Sequence, residues 1–349
     1  MKPRAYNCVR NESKIYFINY DMNMVYYWDF VEKAPHILDA PPEEDIFTQG
    51  LYGNILCSNN KLILVPLNAT KIWMYDLHTE EWTGVGIPNN KSKGNHFFGG
   101  MLNGNWIYLF GYNYQGILKV NICTCEVIHI SIDEAFFDSN YADKGLFNWN
   151  YVVNNNYLLT PFMCVNKILQ LNLQTDEVAY INVGDCSNTY SGIAWDGEKY
   201  WLSPREGQKY VIWDGDRAAQ EFTVPKSINC KGQYFGGAYD VAGKILFTSF
   251  VKTSLLFEKD NISTPIQMKQ SYIFAKHISD NELILGDAKG NIVLYDGEKE
   301  VILNTEIPDS EYYEFLKAEK DRGRLWTRQE VLREKVGFIL IDYLKLIGD

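Results

Sequence analysis

Five histidines, His36, His78, His96, His129 and His277, are the side chains whose ordinary pKa lies near neutrality, and the search for chemistry starts with them. No two stand at a spacing that would hold a metal. The C-T-C run at 123–125 falls in a strand register, without the turn that a zinc knuckle needs. No metal and no cofactor is expected. The sequence has no G-x-S-x-G, no P-loop and no G-x-G-x-x-G after a strand. Acid–base pairs gathered from several repeats leave no linear motif, so candidates must come from where the chain places them.

That placement is legible as a repeat. Seven apolar runs end on an acid or an amide: VYYWD (25–29), IWMYD (72–76), ILKVN (117–121), ILQLN (168–172), YVIWD (210–214), SLLFE (254–258) and IVLYD (292–296). The terminal residues, Asp29, Asp76, Asn121, Asn172, Asp214, Glu258 and Asp296, lie 47, 45, 51, 42, 44 and 38 apart. About ten residues before each run lies a second strand-like run, entered through a tight-turn cluster such as NES, NGN or DGE. Short polar turns such as HTEE and QTDE follow, then a weaker fourth strand. Four antiparallel strands at this period, repeated seven times, predict an all-β, seven-bladed β-propeller.

The first strands of the repeats include LYGNILC (51–57), FFGGMLN (97–103), FNWNYVV (147–153), YSGIAWD (190–196) and YFGGAYD (234–240). Their glycines, Gly53, Gly99, Gly100, Gly192, Gly236 and Gly237, weaken a strand unless its backbone must approach something closely. Convergence of seven blades on one axis supplies that reason; contact between backbone and ligand is the other. The pattern F-G-G, then W-I-Y-L-F-G, with Y-D-L-H-T-E-E-W (75–82) in the preceding blade, resembles kelch-type propeller repeats over roughly residues 5–308. WD- and NHL-like propellers fit almost as well. The resemblance implies the fold and carries no activity.

On this frame one face collects the loops between blades and between second and third strands, rich in amides and aromatics. Trp149, Arg205, Tyr112, Asn113, Tyr190, Tyr234 and Lys231 are the candidate ligand contacts. Trp149 takes the place of a near-axis glycine and should plug the channel or floor a pocket, with Phe274 as its parallel. Arg205 is the candidate for an anionic group. The expected function is a non-catalytic module recognising a peptide, protein or glycan on this face. The alternative is a lyase or hydrolase at the channel mouth, of the kind resembling streptogramin lyases, with His96, His277 and Glu206 as acid–base candidates.

After Pro308 the period becomes helical, so residues 1–308 are read as the propeller and 309–349 as an amphipathic C-terminal extension. Within 326–347, Leu332, Val336, Ile339, Leu340, Tyr343, Leu344 and Ile347 form one apolar stripe behind a Thr327–Glu330 capping box. The stripe packs either on the seam between last and first blades or on a partner or second copy. The 349-residue chain has a formal charge of −11, which argues against nucleic acid as ligand. Neither a secretory h-region nor a membrane-length apolar run occurs, and seven irregularly spaced cysteines fit reduced thiols. A cytoplasmic location is the expectation.

Overall fold

The computed structural model describes residues 1–88, 94–137, 144–185, 187–206, 209–216, 219–224, 235–249, 254–268 and 270–324. They form seven four-stranded antiparallel sheets, each built from four consecutive strands. These blades, numbered 1 to 7 in chain order, span residues 5–39, 52–86, 97–130, 152–181, 189–223, 235–267 and 272–303. This is the seven-bladed propeller that the repeat predicts.

Because neighbours cover both faces of a blade, its inner strands need apolar residues on both sides. Every residue after the first in Lys61–Pro66 is buried, whereas most of the outer strand Glu81–Gly86 is exposed. The core therefore lies between blades. Ile63, Val65, Ile72 and Met74 of blade 2 interleave with Ile107, Leu109, Leu118 and Val120 of blade 3. Each such side chain contributes roughly 1.5–3 kcal/mol.

The repeating acid or amide has a local task. Asp76 Oδ1 accepts from the backbone N–H groups of His78 and Thr79 (2.9 and 3.1 Å), closing the turn into the fourth strand. Asp29, Asn121, Asn172, Asp214 and Asp296 accept in the same way in their own blades. Short acceptors at this position mimic a backbone turn.

At the hub, six of the seven first strands carry a bulge at the same place. The register skips Tyr6, Gly53, Phe98, Ser191, Gly236 and Ile273. The bulge bends each strand along the axis, and adjacent first strands then nearly touch. A Cβ on Gly53 would lie 2.7 Å from the Phe97 oxygen, one on Gly99 2.6 Å from Trp149 Cα, and one on Gly192 2.4 Å from the Ala238 nitrogen. Interblade crowding is why these glycines stand where they do.

The ring closes without exchange of a strand. The Met1 ammonium donates to the Ile307 carbonyl (2.7 Å), the Ile307 N–H donates back to the Met1 oxygen (2.8 Å), and the Trp28 indole reaches the Asn304 carbonyl (3.1 Å). Helix α1 (Asp309–Asp321) then lies on the outer strand of blade 1, Ala34–Asp39. Its Tyr312 and Leu316 are buried with Met22, Tyr26 and Trp28 of blade 1 and Ile284, Ile292 and Leu303 of blade 7. Glu311 accepts from the Ile37 N–H (2.6 Å), which satisfies part of an open sheet edge. Buried Glu319 meets Arg322 (2.9 Å) and Arg324 (3.4 Å), and Arg322 also reaches Asp39 (2.9 Å). The stripe 326–347 lies outside the described residues. No helix among the described residues is long and apolar enough to cross a membrane.

Candidate functional site

The axial cavity, of about 390 Å³, is lined by residues 149–153 at the entry to blade 4, by the first strands of blades 5 to 7, and by Asn7 and Asn54 from blades 1 and 2. It opens at the end of the ring that carries the hairpins between first and second strands. The loop-rich face favoured from the sequence is the opposite end.

The Trp149 indole forms its floor. It spans the hub from blade 4 to blade 6, where its Nε1–H donates to the Tyr239 hydroxyl (2.9 Å). Its other side meets the Phe98 ring edge-on at 6.0 Å, and Phe98 in turn meets Tyr112 at 4.5 Å. Tyr239 is buried, and burial raises its phenol pKa above the ordinary value against the hydrogen bond from Trp149.

Asparagines tie the hub together. Asn150 donates to the Ala238 carbonyl (3.0 Å) and accepts from the Ile193 N–H, linking blades 4, 5 and 6. Asn148 donates to the Gly236 (2.5 Å) and Ser191 (3.4 Å) carbonyls. Asn7 and Asn54 each accept from the next residue's N–H, at 2.9 and 2.8 Å. The Asn54 side chain is 1% exposed, and its NH2 group meets no acceptor among the described residues.

The charged groups sit on one side. At the mouth, His277 Nε2 lies 3.4 Å from Asp240 Oδ1. Burial lowers the His277 pKa and Asp240 opposes that, so the direction is toward the neutral imidazole. Beside them Lys276 lines the cavity without a carboxylate partner among the described residues. Burial also pulls its ammonium below the usual lysine value, against an opposing effect of Cys8.

The ring divides the sequence-predicted residues. Trp149 and His277 reach the cavity. His96 is buried, with its carbonyl accepting from the Tyr112 N–H (2.7 Å), and burial lowers its pKa. Asn113 holds the Gly94 carbonyl (3.1 Å), and Tyr190 is buried with its hydroxyl on the Val183 carbonyl (2.9 Å). Arg205 lies in the second strand of blade 5, Tyr200–Glu206, and its Nε has no partner among the described residues. The Glu206 side chain, Lys231 and Tyr234 lie outside the described residues. Sequence reading missed Lys276, Tyr239, Asp240, Asn54 and Asn150. One signal was present: in an alignment of first strands, Lys276 puts a charge in an otherwise apolar column.

No protein-family model matches the chain, and no curated protein matches it by sequence. Its likeness is to solved structures. Virginiamycin B lyase from Staphylococcus aureus is 12% identical, with a TM-score of 0.66 over 84% of this chain and 96% of that one. BamB from Moraxella catarrhalis is 12% identical, with a TM-score of 0.58 over 85% of each chain. A chain of the mitotic checkpoint complex is 8% identical, with a TM-score of 0.60 over 81% of this chain and 83% of that one. At these identities the likeness shows the propeller fold and nothing finer.

Proposed function

We propose that the chain is a binding module whose ligand enters the axial cavity at the hairpin end of the ring. One observation carries this reading. The cavity has a pre-formed aromatic floor, Trp149, held by Tyr239, beneath a wall of amide and charged groups. Its volume, about 390 Å³, falls in the range of small-ligand sites. A small molecule or the end of a peptide fits such a funnel better than a folded protein surface does. The kelch-type origin of the repeats belongs to the same proposal. Its support is that Tyr75 and Trp82 of the YDLHTEEW run pack together at 4.8 Å and that Trp82 reaches Asp39 of blade 1 (2.9 Å).

The test is a thermal-shift screen with peptides, glycans and small acids, repeated on Trp149→Ala and Arg205→Ala. A shift lost in Trp149→Ala and kept in Arg205→Ala supports the cavity. The reverse pattern moves the site to the opposite face.

A second reading, a lyase or hydrolase, draws on the His277–Asp240 contact at the mouth, a candidate base with an orienting carboxylate. A histidine-to-alanine variant of virginiamycin B lyase is catalytically inactive. For this chain the corresponding test is turnover of any ligand found in the screen. Consumption by wild type that stops in His277→Ala selects the enzyme, and binding without consumption selects the module.

A further inference from the structure

We propose that the axial cavity binds a compact monoanion, a carboxylate on an aromatic or apolar body, with the Lys276 ammonium as its counter-charge. This rests on the reading of the cavity as the ligand site and adds the chemical class of the ligand.

The position of Lys276 is the first argument. In each blade one residue of the first strand pairs with the third residue of the second strand. Across the ring these are Val9, Leu56, Met101, Val152, Ile193, Tyr239 and Lys276. The fold uses an apolar or aromatic side chain there in blades 1 to 6, and only blade 7 carries a charge. Lys276 is half-buried in the cavity wall, and an ammonium partly withdrawn from water gains by pairing with an anion that enters the cavity.

Among the described residues no anion is placed to satisfy it. The charge of Lys276 acts on Cys8, fully buried, whose thiol burial pushes up to about 12 and so keeps neutral. Asp240, the carboxylate in the cavity wall, is engaged with His277 instead. The free NH2 of Asn54 adds a second donor to the same cavity, and a carboxylate accepts through two oxygens.

Charge count selects a monoanion. One ammonium matches one negative charge, whereas a phosphate dianion would need further cations and would face Asp240 at the mouth. The Trp149 and Trp195 rings, both in the lining, give the ligand body flat apolar surface.

The experiment compares indole-3-acetate with its neutral amide, indole-3-acetamide, by calorimetry on the full chain. Wild type should bind the acid at least tenfold more tightly, and Lys276→Met should erase that difference while keeping or raising the melting temperature. If Lys276→Met is unstable, Lys276→Gln reads the same difference. A tetrapeptide ending in tryptophan, with a free or an amidated C-terminus, tells whether the carboxylate arrives on a small molecule or on a chain end. Equal binding of acid and amide, lost for both in Trp149→Ala, overturns the carboxylate and leaves the cavity as a ligand site. An acid preference that survives both Lys276→Met and Trp149→Ala overturns both readings. Failure of both the free acid and the free-carboxylate peptide to bind at millimolar concentration overturns the proposal.

Discussion

Trp149 and Tyr239 lie 90 residues apart in the chain, yet one hydrogen bond makes them a single surface. Replacing Tyr239 with Phe removes the acceptor and leaves a buried indole N–H unsatisfied, a loss of about 1–3 kcal/mol. Denaturant unfolding of Tyr239→Phe should show that loss, and an unchanged midpoint would mean that the indole has another acceptor. Asp196 tests electrostatics on the rim. Burial pushes its carboxyl pKa up, and the Trp201 indole together with the N–H groups of Glu198 and Lys199 outweighs this, so the net direction is downward. A depressed carboxylate stabilises above its unfolded value and loses that contribution as the pH falls through the folded one. The stability gap between wild type and Asp196→Asn should therefore be flat at neutral pH and shrink below about pH 4. A gap that widens on acidification would contradict the assignment.

Elements in this fold are set by two devices, a side-chain acceptor at the outer turn and a missing side chain at the hub. Gly192→Ala would press a methyl group against the backbone of the next blade, at 2.4 Å from the Ala238 nitrogen. A cost at or above about 3 kcal/mol is expected, because backbone there cannot yield without moving a blade. Gly104→Ala is the control. It has φ +58° and open space around it, so only the strain of the left-handed backbone remains, roughly 1–2 kcal/mol. Equal losses from the two substitutions would remove crowding as the reason for the hub glycines. Both devices were legible because each recurs from repeat to repeat: Asp29 to Asp296 mark the turns, and the glycine-bearing strands mark the axis. The bulge was not legible. Tyr6, Phe98 and Ile273 occupy it as readily as Gly53 does, since its position is fixed by geometry and not by residue type.

For the whole molecule, the site was harder to read than the fold. Asn7 and His277 line one cavity from opposite ends of the chain, and nothing local in either stretch marks the meeting. The cavity also opens at the end of the ring opposite to the one the sequence favoured. Amide-rich loops drew attention to one face, while Asn113 and Tyr190 spend their polar groups on nearby backbone. The seam between blades 7 and 1 gives the test at this scale. Helix α1 covers apolar side chains of both blades, so truncation after Pro308 should lower the melting temperature by several degrees. The substitution Leu316→Ala should cost about 2–5 kcal/mol on its own. A truncated chain that melts with wild type would show that the Met1–Ile307 backbone pair alone suffices.

One consequence follows for how such a molecule can change over generations. Every sheet is cut from a single uninterrupted stretch of sequence, so none borrows an edge from the far terminus. An in-frame duplication or loss of one repeat would then insert or excise an intact layer. Only the fastening between the first and last layers, and the width of the hole they enclose, would have to be refitted.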